Sequence, residues 1–198
     1  MDSAIVMYLG DVRLTIALAG GVTVWLLAAH AFRLACYWCI AVGSVFGAVA
    51  ASKIIYMGWG LQLTSVEFKA VSGHAAGAAA VLPIVLSVLA MSDKRHNGSI
   101  ALLAGWVLGV AVAFALVNNG EHTPAEAFAG WCIGAIASGS TSKKLCATQI
   151  HPSTFGIGAV LVTTILLAAC MQAVPLGWWM IKAALALSGQ HRIHTWNE

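Results

Sequence analysis

The chain has 198 residues, 60% of them hydrophobic and only 9% charged, against roughly a quarter charged in an ordinary soluble domain. So few charges cannot clothe a soluble surface of this size. The net charge of +3, carried by basic residues scattered through short loops, argues against a nucleic-acid partner.

A span needs about 20 apolar residues to cross the hydrocarbon core of a bilayer. By that measure the sequence predicts helices near 12–30, 34–56, 71–91, 99–118, 124–141 and 154–174. Polar turn chemistry separates them: Arg33, the stretch 58–70, Ser92 to Gly98, Asn118 to His122, and Thr141 to Lys144. No stretch rich in Pro, Ser or charge divides the chain, so residues 1–198 are expected to form a single membrane domain. The expected fold is all-α and integral to the membrane, a six-transmembrane-helix bundle. The tail 175–198 has an apolar part too short for a further span. With Trp178 and Trp179 it reads as an interfacial helix at headgroup depth.

Four of the five cysteines (Cys36, Cys39, Cys132, Cys170) lie in apolar stretches, where they act as small hydrophobes, and no disulfide framework is implied. The opening residues lack the basic segment and small-residue cleavage site of a signal peptide, so insertion is expected to rely on the first span. With six spans, Arg33, Lys94, Arg95, Lys143 and Lys144 fall on one side, which the positive-inside rule makes cytoplasmic. Lys53, Lys69 and His122 then face the periplasm or the exterior of a bacterial cell.

Ionisable groups at membrane depth are costly and usually functional. Span parity alone brings Lys53, His74, His122 and Glu126 to the outer side. The third and fifth helices both begin there, and helix N-termini with unpaired N–H groups attract phosphate. Val71-Ser72-Gly73-His74 opens the third helix, with a hydroxyl at Ser72 and a close backbone approach at Gly73. His122 stands four residues before Glu126, a spacing that lets the acid hold the imidazole in one tautomer. Two histidines, a lysine, a carboxylate and two helix ends suit phosphoryl transfer, with one imidazole attacking phosphorus and the other protonating the departing oxygen. Each element also has a structural reading. Thr123-Pro124-Ala125-Glu126 is a capping box with proline at the first helical position. Lys53 alone reads as a snorkelling anchor, and the Gly and Ala of the third to fifth helices as close packing.

The order of these residues resembles the three-part signature of the type 2 phosphatidic acid phosphatases, KxxxxxxRP, PSGH and SRxxxxxHxxxD. Here the parts are Lys53 to Leu61, Val71 to His74, and Ala115 through His122 to Glu126, followed by Ala129-Gly130-Trp131. The resemblance implies a lipid phosphatase without cofactor or metal. Its nucleophile would be His122, oriented by Glu126, and its general acid His74; Lys53, Ser72 and Gly73 would bind phosphate. Gly60, Leu61 and Leu116 stand where the signature has arginine, proline and arginine, and Lys69 offers a substitute charge. The partners expected are a phosphorylated lipid substrate and membrane lipids, with no nucleic acid. The missing arginines motivate an alternative: a member of the same fold that binds or transports a phosphorylated lipid with little or no turnover. An intramembrane metalloenzyme using His74, His122 and Glu126 is the third reading, though the HExxH spacing is absent.

Overall fold

The computed structural model describes residue 6 and residues 8–91, 98–148 and 154–196. The loop with Lys94 and Arg95, the first five residues and the last two lie outside the described residues. The described chain is helical: α1 Val12–Ala28, α2 Phe32–Trp59, α3 Gly73–Ala90, α4 Gly98–Asn118, α5 Pro124–Ala147, α6 Thr154–Gln172 and α7 Leu176–Ser188.

Helix starts follow local chemistry. The Asp11 carboxylate accepts from the amides of Arg13 and Leu14 at 2.8 and 3.0 Å and caps α1. Ser72 Oγ accepts from the Ala75 amide at 3.4 Å and caps α3. Helix α2 stops at Gly60, whose φ of 67° is left-handed and suited to glycine.

Among the described residues three helices, α2, α3 and α4, are long and apolar enough to cross a membrane, and four spans result if the α6–α7 pair, bent by 55°, forms one broken span. Helix α1 is apolar but has 17 residues. Helix α5 carries Glu126 in its first turn and Lys143 and Lys144 near its end, so its apolarity is diluted at both ends.

Helix α3 occupies the centre and packs against α1, α2, α4 and α5. The cause is in its sequence: Ala75, Ala76, Gly77, Ala78, Ala79 and Ala80 are all buried, and such small side chains let neighbouring backbones approach closely. The approach is close on α5. A Cβ on Gly130 would lie 2.5 Å from the Ser72 carbonyl oxygen, and one on Gly134 would overlap the Ala76 carbonyl oxygen. Polar ties reinforce the packing: Trp106 Nε1 of α4 donates to Ser138 Oγ of α5 at 3.0 Å, and Ser138 Oγ donates to the Ala79 carbonyl of α3 at 2.8 Å. The close α3–α5 contact matters for function, because both helices carry candidate catalytic residues at their N-terminal ends.

Candidate active site

The entrance of α5 is a complete capping box. Thr123 Oγ1 accepts from the Glu126 amide, and Glu126 Oε2 accepts from the Thr123 amide, both at 3.3 Å. Glu126 Oε2 also meets His122 Nδ1 at 2.7 Å. The structural and functional readings of Glu126 therefore coexist in one carboxylate. Its other oxygen, Oε1, accepts from the amides of Lys69 and Ala70 at 2.9 and 3.2 Å. The Ser72 amide donates to the Glu126 carbonyl at 3.2 Å. Glu126 thus fastens the segment leading into α3 onto the start of α5.

Three of the groups around the carboxylate are backbone N–H donors, which fits an ionised, accepting carboxylate. His122 Nδ1 then carries the proton, and Nε2 of the neutral ring keeps its lone pair. The imidazole is mostly buried, and so is Glu126.

His122 and Glu126 line a cleft of about 790 Å³ together with Lys53 from α2, Lys69 from the α2–α3 segment, Glu121 and Trp196. Two further acids bear on its polarity: Glu67 and Glu121 also line it, but both are exposed, whereas Lys53 and Lys69 are half-buried. Lys53 and Lys69 bring two ammonium groups to the cleft beside the buried Glu126 carboxylate.

Trp196 is the residue the sequence reading missed. The tail does not end with α7: the His194 amide donates to the Met57 carbonyl at 2.9 Å. Tyr56 OH donates to the Thr195 carbonyl at 2.8 Å, and the Trp196 ring stacks on Tyr56 at 4.6 Å. Lys69 Nζ donates to the Trp196 carbonyl at 2.6 Å. The tail therefore folds back over the end of α2 and supplies one wall of the cleft. The signal in the sequence is a tryptophan set in a largely polar stretch.

The other candidates do not line the cleft. Ser72 is fully buried and its hydroxyl is engaged in capping α3. A Cβ on Gly73 would meet Val12 and Val49 at 3.3 Å, so the close approach at Gly73 is to apolar side chains. His74 is half-buried in the first turn of α3 and is not among the residues lining the cleft. Leu116 is fully buried among Val112, Ala78 and Leu82, and a side chain on Gly60 would press on the His194 imidazole at 2.9 Å. Among the described residues, no group of three or more His, Cys, Asp and Glu side chains is placed to hold a metal ion.

These features define an all-helical membrane bundle with a histidine–carboxylate pair at one end. Residues 49–145 match the family model of the PAP2 superfamily, a match that runs from the second half of α2 nearly to the end of α5 and contains Lys53, Lys69, Ser72, Gly73, His74, His122 and Glu126. The match implies a membrane helical bundle. A Klebsiella pneumoniae protein described as an uncharacterized 22.5 kDa protein in the cps region is 29% identical over 139 residues, which are 70% of this chain. The alignment spans 66% of that protein, just under two thirds of its length. No solved structure matches the chain.

Proposed function

We propose that the protein is a metal-independent phosphatase of lipid phosphates or pyrophosphates, acting through a phosphohistidine at the outer leaflet of a bacterial inner membrane. The observation that carries this reading is the 2.7 Å contact between His122 Nδ1 and Glu126 Oε2, set in a cleft with Lys53 and Lys69.

The chemistry follows from the roles available. Lys53 and Lys69 draw the phosphoryl oxygens into the cleft. His122 Nε2 attacks phosphorus, and the bond to the leaving oxygen breaks as His74 gives that oxygen its proton. Water then attacks the phosphohistidine and gives a proton to His74. The P–N bond breaks with its electron pair returning to Nε2, and inorganic phosphate leaves. Fixed ammonium groups and backbone N–H groups stabilise the charge that develops, a role metal ions fill elsewhere. The substrate is a phosphorylated lipid, the surrounding lipids are solvent for the helices, and nucleic acid is not a partner.

A second reading rests on Leu116 and Gly60. Arginine presents a bidentate fork to phosphate that neither residue can replace. Losing one such donor can cost about 100- to 1,000-fold in turnover. A protein that binds or transports phosphorylated lipid with little turnover fits the same cleft.

Phosphate release from a panel of lipid phosphates by purified protein in detergent separates the two. Release that disappears in His122→Ala supports the phosphatase. Headgroup binding without turnover supports the second reading, and equal release by parent and variant sinks the assignment.

A further inference from the structure

An apolar groove of about 480 Å³ lies between α4 and α5, walled by Val110, Ala113 and Phe114 on one helix and by Ala127, Phe128 and Trp131 on the other. Its remaining lining residues, Val117 and Pro124, also line the polar cleft. Groove and cleft are therefore continuous around the α4–α5 turn. The two helices run in opposite directions from that turn, and the stretches Val110–Val117 and Pro124–Trp131 each rise about 10 Å. That depth is roughly a third of the ~30 Å hydrocarbon core. Val110, Phe114 and Phe128 are 52%, 65% and 67% exposed, so the groove is open along its length to the surroundings of the bundle. Trp131 is held in place, its Nε1 donating to the Trp106 carbonyl at 3.3 Å.

We infer that the α4–α5 groove binds the headgroup-proximal part of the single apolar chain nearest the phosphate of the substrate, while the phosphate lies in the cleft beside His122. The inference rests on the phosphatase reading for the identity of the headgroup and adds where the chain runs. No other arrangement of the lining joins the two surfaces so directly, since the same two residues bound both. The groove is lined almost wholly by carbon and has no cation to hold a second headgroup. It is too short for a whole membrane-length chain, so it selects the first segment and leaves the rest in lipid.

Two physical consequences follow. A chain already in a bilayer gains little by entering, because lipid is as apolar as the groove; there the groove acts by aiming the phosphate. A short chain arriving from water gains about fourfold in affinity for each methylene buried. Chain length should therefore matter up to the depth of the groove and not beyond it.

The test uses full-length protein in detergent and soluble monoalkyl phosphates: methyl, butyl, hexyl and octyl. In the parent, KM should fall steeply along the series, by up to about 60-fold from methyl to butyl and up to about 16-fold for each later pair of methylenes. Ala113→Phe, which fills the groove away from the dyad, should flatten that fall, whereas Lys53→Met should raise KM for all four esters alike. A flat series in the parent, or the same slope in Ala113→Phe, overturns the inference. Failure to hydrolyse any ester is a failure of the phosphatase reading, and the groove is then judged by a second measurement. Octyl phosphate carrying a photoreactive diazirine at its chain end should label Phe114, Phe128 or Trp131 by mass spectrometry, and a diazirine octanol should not. Equal labelling by the two probes marks the groove as ordinary lipid-facing surface and overturns the inference as well.

Discussion

Glu126 Oε1 accepts from the Lys69 amide at 2.9 Å, across 57 positions of sequence, while its other oxygen holds His122 at 2.7 Å. One carboxylate thus fixes the imidazole and ties the α2–α3 segment to the start of α5. Its removal should be felt twice, in chemistry and in folding, and two substitutions separate these.

Glu126→Gln keeps the shape and one accepting oxygen for the Lys69 and Ala70 amides. Its NH2 then faces His122 Nδ1 and favours the tautomer with the proton on Nε2, which has no lone pair to attack with. Turnover should fall about 100-fold or more, and thermal stability should fall less than in Glu126→Ala, because only the Thr123 amide loses its acceptor. Glu126→Ala leaves buried amides at Lys69 and Ala70 unpaired and should cost about 1–3 kcal/mol for each, seen as a lowered unfolding midpoint. Full turnover in Glu126→Gln would contradict the tautomer argument.

Lys53 and Lys69 differ in their engagements. Lys69 Nζ already donates to the Trp196 carbonyl and lies 5.4 Å from the Tyr56 ring centroid. Hydrogen bonds to charged groups contribute about 1.5–3 kcal/mol, so Lys53→Met should weaken inhibition by inorganic phosphate roughly 10- to 100-fold. Lys69→Met should have the smaller effect on phosphate and should loosen the tail. The opposite ranking would mean that Lys69 is the principal phosphate ligand.

The tail is held by the Tyr56–Trp196 stack and the Tyr56–Thr195 hydrogen bond, which secure the same short segment. Trp196→Ala should raise KM several-fold by opening one wall of the cleft, with little change in kcat. Tyr56→Phe should cost about 1 kcal/mol of tail docking. The double variant should be no worse than Trp196→Ala alone, because both act on one contact. Additive losses in KM would show that Tyr56 acts elsewhere.

Gly134 faces the Ala76 carbonyl and would place a Cβ 2.8 Å from that of Ala79. Gly134→Ala should destabilise the α3–α5 contact by about 1–3 kcal/mol. Gly43→Ala is the matched comparison, since nothing lies within 4 Å of its added Cβ, and it should leave stability unchanged or raise it by up to about 1 kcal/mol. Equal unfolding midpoints for the two variants would contradict the close-packing account.

Much of the helical plan was legible because its signals are local. The capping box at Thr123-Pro124-Ala125-Glu126 marks the start of α5, Ser72 marks α3, and Gly60 marks the end of α2. The His122–Glu126 contact was legible for the same reason, as a pair four residues apart around a helix start. What the sequence did not disclose depends on distant contacts. Nothing local says that Lys69 and Ala70 donate to Glu126, that Trp196 closes the cleft, or that Leu116 packs inside the bundle. Ser72 shows the limit from the other side. Its hydroxyl reads from the sequence as a phosphate ligand, and in the fold its oxygen also caps α3 by accepting from the Ala75 amide, which leaves the O–H able to donate.

The central claim is that His122 takes the phosphoryl group. Brief reaction of the purified protein with a lipid phosphate carrying labelled phosphorus, quenched in base, tests it most directly, because a phosphohistidine survives base and is lost in acid. The account predicts base-stable label on the peptide containing His122, absent in His122→Ala and accumulating in His74→Ala when the leaving group departs readily. Label on another residue, or phosphate release from the parent with no labelled His122 peptide at any quench time, would contradict it.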